Sequence, residues 1–155
     1  MEPEPLSYSS LAFEILLLFV LLGFSAFFSS SETALSSMSK LKLKSMLDQT
    51  DNAEKKKVIH TALHKPNQLL TTILVLNNFV NIFASSLSTL IVLRWLPPGN
   101  ASTAAAISTG VMTFVILIFG EITPKIFSTQ RAERIFHRCI SFISFASYVL
   151  SPLVF

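Results

Sequence analysis

The sequence predicts an all-α membrane protein with three transmembrane helices, cytoplasmic juxtamembrane helices and a C-terminal amphipathic helix. Three observations carry this. The 155 residues are 51% hydrophobic and 14% charged, against roughly 25% charged in an average soluble domain. Three apolar runs, about 11–37, 68–95 and 102–127, each exceed the ~20 residues a helix needs to cross hydrocarbon. Eleven of the twelve basic residues fall on two stretches, Lys40 to Lys65 after the first run and Lys125 to Arg138 after the third, with only Arg94 elsewhere. The positive-inside rule makes both stretches cytoplasmic and puts the N-terminus, with Glu2 and Glu4, outside. The implied location is the cell inner (plasma) membrane, crossed several times, with the C-terminus cytoplasmic. The basic clusters are thus explained by topology, and no nucleic acid is needed as a partner.

The first run has no cleavage signal and continues into small polar residues, so it reads as a retained helix. Its Glu14 belongs near the outer headgroups. Phe supplies 14 of the 17 aromatic residues, so lipid contact and helix packing fall to Phe, with Trp95, Tyr8 and Tyr148 as the few interface anchors. From Lys40 to Lys65, charged and apolar residues alternate, which predicts two short helices, one capped by Asp51 or Asn52 and ended by Pro66. Leu96 to Ala101, containing Pro97, Pro98, Gly99 and Asn100, predicts a tight external turn that makes the second and third spans an antiparallel hairpin. Residues 131–155 begin with Arg131, Glu133, Arg134, His137 and Arg138 and continue apolar, a pattern that favours an interfacial helix over a fourth span. The chain stops on apolar Phe155, and a soluble region is expected beyond it.

Candidate chemistry lies within the spans. In Gly120-Glu121-Ile122-Thr123-Pro124-Lys125 a carboxylate adjoins a proline near the end of the third run. Pro124 lacks an amide hydrogen, so in an α-helix the carbonyl of Gly120 loses its donor, and Pro124 becomes a hinge. A charged side chain in a span costs roughly 3 kcal/mol on insertion scales and usually marks a pathway or site. Along the first span, Ser25, Ser29, Thr33 and Ser37 recur every four residues on one face. Close helix packing explains such a stripe equally well. In the second span Asn77, Asn81, Ser85 and Ser88 share a face; their amides suit either interhelical hydrogen bonds or cation ligation. Ser29, Asn77 and Glu121 lie about 9 to 14 Å in from the cytoplasmic ends of their spans, at ~1.5 Å per residue. The shared depth sets hydroxyl, amide, carbonyl and carboxylate oxygens together. Hard oxygens suit Mg²⁺, Ca²⁺ or Na⁺ rather than zinc or copper. Asn78 and Glu32 are alternative ligands, although Glu32 is also placed to pair with a lysine at the inner interface. His60 and His64, four apart on a basic loop without an evident third ligand, read as a solvated face. A single cysteine, Cys139, excludes an intramolecular disulfide. No nucleophile motif or phosphate-binding glycine loop is present, so the chain is not expected to be an enzyme.

Three segments carry a family resemblance: Phe28-Ser29-Ser30-Ser31-Glu32-Thr33-Ala34-Leu35, Leu76-Asn77-Asn78-Phe79-Val80-Asn81, and Gly120-Glu121-Ile122-Thr123-Pro124-Lys125. In this order, on a three-span basic-inside topology from about Leu11 to Phe155, they resemble the transmembrane domain of the CorC and cyclin M (CNNM) magnesium transporters. The resemblance implies a homodimer whose residues 131–155 form a belt-like helix on the inner side. It implies a Mg²⁺ held by Ser25, Ser29, Asn77, Asn81, the Gly120 carbonyl and Glu121 in a cytoplasm-facing cavity, with Na⁺ entry driving export. It further implies that the full-length protein continues into cytosolic CBS domains that bind nucleotide. Two rivals remain at this stage: a membrane-anchored Mg²⁺ sensor or scaffold that moves no ion, and a structural subunit whose polar residues only join helices.

Overall fold

A computed structural model describes residues 8–94 and 99–154. Every regular element among them is helical: α1 (Tyr8–Ser37), α2 (Lys40–Gln49), α3 (Ala53–His64), α4 (Pro66–Leu93), α5 (Ala101–Val115), a π-helical segment (Ile116–Ile122), α6 (Thr123–Gln130) and α7 (Ala132–Val154). Three helical stretches are long and apolar enough to cross a membrane, namely Ser10–Ser37, Pro66–Leu93 and Ala101–Gln130. The third joins α5, the π segment and α6 without a break.

Local chemistry sets the boundaries. The Ser39 hydroxyl accepts the Lys42 amide at 3.3 Å to cap α2. Asn52 caps α3, accepting the amides of Glu54 and Lys55 at 3.0 and 3.1 Å, so of the two residues the sequence offered, Asn52 is the cap. α3 ends at His64, and Pro66 opens α4 as its first residue, where a missing amide hydrogen removes no helical bond. The second span therefore starts two residues before the expected Gln68. Of the expected external turn, residues 95–98 lie outside the described residues, as do Trp95, the acidic N-terminal residues and Phe155. Gly99 has φ +99°, a conformation that favours glycine.

The hairpin of α4 with the third span packs against α1, and the core divides by depth. Toward the α2 and α3 end, Phe28, Ala34 and Leu35 of α1 meet Val58 and Ile59 of α3, Leu69 and Ile73 of α4, and Phe136, Ile140 and Ile143 of α7. At the opposite end a smaller cluster gathers Ala84, Met112 and Ile116. Phenylalanine divides its labour in the same way. Phe27 and Phe142 meet edge to face with centroids 5.2 Å apart, fastening α7 to α1, while Phe13, Phe19, Phe79 and Phe114 are exposed on the spans. Cys139 is in the α7 core; burial pushes its thiol above the ordinary range, opposed by a Ser31 hydrogen bond and by Arg138. A buried, protonated thiol is inert.

Two ion pairs tie α1 to its neighbours at opposite ends. Arg94 Nη2 lies 2.6 Å from Glu14 Oε1, and Lys125 Nζ lies 3.3 Å from Glu32 Oε2. The solitary basic residue of the sequence thus finds its partner on the first span.

Candidate functional site

Between these two ion pairs the three spans present their polar atoms to one another. Ser25 and Ser29 are successive turns of one α1 face, 1% and 0% exposed. Asn77 and Asn81 stand in the same relation on α4; Asn77 is buried and Asn81 half-buried. The Ser25 hydroxyl donates to Asn77 Oδ1 at 3.4 Å, a long bond. The Ser29 hydroxyl donates to the Glu121 main-chain carbonyl at 3.3 Å, and Asn81 Nδ2 donates to Glu121 Oε1 at 3.2 Å. Glu121 is therefore held through its backbone by α1 and through its side chain by α4.

Gly120 makes this closeness possible. A Cβ there would sit 2.5 Å from Ser25 Oγ and 3.2 Å from Ser25 Cβ, so only glycine lets the π segment approach α1 at this level. The winding itself differs from the sequence expectation. The Thr123 amide bonds to Ile118, five residues back. Continued by one residue, this spacing makes Phe119 the carbonyl that Pro124 leaves without a donor, where an α-helix would have made it Gly120. Periodicity gave no sign of this, because a π turn is selected by tertiary packing and not by side-chain pattern.

One buried atom in the cluster has no partner: Asn81 Oδ1. The amide nitrogen of Asn81 faces a carboxylate, so the leftover atom is an acceptor oxygen. Buried acceptors rarely stay unpaired, and each such case calls for an explanation. A cation beside Glu121 would supply the missing partner.

Ser25, Ser29, Asn77, Asn81, Gly120 and Glu121 thus come together from three elements. Asn78 does not join them: about 100° around α4 from Asn77, it is exposed beside Phe79 and Ile82. Glu32 is engaged with Lys125. Not every hydroxyl belongs to this cluster, since Thr89 and Ser108 meet at 2.8 Å to join α4 to α5. His60 and His64 are exposed with rings 4.3 Å apart, and among the described residues no three His, Cys, Asp or Glu side chains gather to hold a metal. Any ion held here is therefore held mainly by neutral oxygens.

Residues 16–155 match the family described as the cyclin M transmembrane N-terminal domain. The chain belongs to that family. Among curated relatives, this cyclin M domain is 40% identical to a UPF0053 protein of Haemophilus influenzae over 139 residues, covering 90% of this chain and 30% of that protein. It is 36% identical to the UPF0053 inner membrane protein YfjD of Escherichia coli over 129 residues, 83% of this chain and 27% of that protein. A chloroplastic DUF21 domain-containing protein of Arabidopsis thaliana is 33% identical over 138 residues, 89% of this chain and 20% of that one. The cyclin M domain thus spans less than a third of the length of these relatives.

Proposed function

We propose that this domain moves Mg²⁺ across the cell inner membrane, as an exporter driven by Na⁺ entry, and that the cluster around Glu121 is where the ion binds. The unpartnered Asn81 oxygen beside that carboxylate is the observation that carries the reading. Hydroxyls of Ser25 and Ser29, the amide oxygen of Asn77 and the main-chain carbonyls of the π segment complete a set of hard oxygens of the type Mg²⁺ and Na⁺ prefer. The family and the inner-membrane relative support the location.

Glu121 is the one formal charge in the set, so a bound divalent ion stays half neutralised and can leave. In the ion-free arrangement the serine hydroxyls donate to Asn77 and Glu121; when a cation enters, those protons turn away and the oxygens face inward. Na⁺ uses the same oxygens with less charge, so exchange on one site follows from competition. The Glu14–Arg94 and Glu32–Lys125 pairs brace α1 on either side of the site, where an alternating-access cycle needs one end closed while the other opens.

A homodimer is part of the proposal. Asn78 is an exposed amide amid Phe79, Ile82 and Phe83, and hydrocarbon offers it no partner; a second copy does. The region beyond this domain, expected to carry CBS domains, would supply nucleotide regulation.

The test is Mg²⁺ efflux from proteoliposomes containing only this chain. Efflux that rises with an inward Na⁺ gradient is expected. Mg²⁺ binding without efflux under either condition would make the domain a sensor or scaffold instead.

A further inference from the structure

A second polar feature lies where the spans end. A cavity of about 780 Å³ has on its rim Ser37, the last residue of α1, and Gln130, the last of α6. Lys42 of α2, Arg131 of the turn between α6 and α7, and Arg134 and Arg138 of α7 also line it, with Glu133 the sole carboxylate among the lining residues. Four cations thus face one anion in a space large enough for a small organic ligand.

The helix that carries two of these groups is fixed by packing. Arg134 and Arg138, four apart, lie along one side of α7, with Arg131 in the turn just before it, while Phe136, Ile140 and Ile143 bury the other side in the core. The cavity lies at the N-terminal end of α7, the positive end of that helix's dipole. Lys42 Nζ and Glu133 Oε2 are 3.4 Å apart, so the one carboxylate offsets one cation, and the three arginines face no second carboxylate among the lining residues.

We propose that this cavity binds the phosphate of an anionic phospholipid headgroup. Guanidinium groups match phosphate with paired hydrogen bonds, and several on one helix face make an anion site. Depth identifies the source of the phosphate: the rim is built from the terminal residues of two membrane spans, the level at which headgroups lie. Met38 and Met46 line the same cavity, giving the glycerol end an apolar wall. A lipid bound there would clamp α7 to the end of the third span. The proposal does not depend on the Mg²⁺ reading.

Native mass spectrometry of the full chain, released from micelles containing phosphatidylglycerol or phosphatidylcholine, tests it. One retained phosphatidylglycerol per chain is expected, in preference to phosphatidylcholine. R134Q/R138Q should lose that lipid by about 25-fold, since each basic group near an anionic surface is worth roughly fivefold. K56Q/K57Q, which removes equal charge from residues outside the cavity, should retain it within about twofold. Circular dichroism checks that both variants fold. Equal retention in the two double variants, or no preference between the lipids, would overturn the proposal. So would displacement of the lipid by micromolar glycerol phosphate, which would assign the cavity to a soluble phosphate, or by an acidic peptide, which would assign it to a protein segment.

Discussion

At the scale of single residues, Gly120 and Glu121 divide the work of the site. Gly120 sets how near the π segment comes to α1, and Glu121 supplies charge. Replacing Gly120 by Ala places a methyl group 2.5 Å from Ser25 Oγ, so either the helices separate or Ser25 turns and gives up Asn77. We expect G120A to lose about 1–3 kcal/mol of stability, read as a lower midpoint of thermal unfolding in detergent. S25A/G120A, which removes the clashing oxygen but keeps Cβ of residue 25 at 3.2 Å, should recover part of the stability but none of the Mg²⁺ affinity. An equal stability for G120A and the parent chain would show that the approach is looser than described. The identity of the cluster was legible in the sequence because carboxylate, asparagine and serine are conspicuous in apolar runs. Which atoms meet was not: that Ser29 reaches the backbone of Glu121, or that Asn78 faces outward while Asn77 faces inward, depends on helix rotation, which neighbouring polar residues leave undetermined.

At the scale of elements, hydropathy alone located three spans to within a few residues, since lipid demands long apolar helices and little else does. Caps and prolines resolved the short helices. The seven-residue π segment escaped because its sequence, Ile116-Leu117-Ile118-Phe119-Gly120-Glu121-Ile122, has ordinary helical character. It ends two residues before Pro124, whose missing amide hydrogen removes a donor that would help restore α-helical register. P124A should allow that bond to form and the segment to relax toward an α-helix. On the proposal that the carbonyl freed by Pro124 is a ligand, the expected result is unchanged or higher thermal stability with Mg²⁺ affinity lowered by about fivefold, the worth of one net hydrogen bond. Titration calorimetry alongside thermal unfolding separates the two effects; higher affinity in P124A would exclude a ligand role for the freed carbonyl.

At the scale of the whole molecule, the polar contacts that tie α1 to the other spans among the described residues sit at three levels: an ion pair near one end of α1, the oxygen cluster, and an ion pair near the other end. Apolar packing by α7, α2 and α3 secures one half of the bundle, while the opposite half has a core of only a few residues. This asymmetry assigns rigidity to the α7 end and leaves the far end easier to rearrange. The proposed homodimer would form through the outer face of α4, where Asn78 is exposed. N78L should weaken self-association by about 3- to 30-fold, the range for one hydrogen bond between membrane helices, as measured by sedimentation equilibrium in matched-density detergent. An unaltered dimer would place the interface elsewhere. The central claim, that oxygens from three spans converge on one divalent ion, is tested most directly by titrating Mg²⁺ into the purified chain and into E121Q. Saturable binding in the parent, weakened ~30-fold or more in a folded E121Q by loss of about 2 kcal/mol or more, is the predicted result; identical binding curves for the two proteins would contradict it.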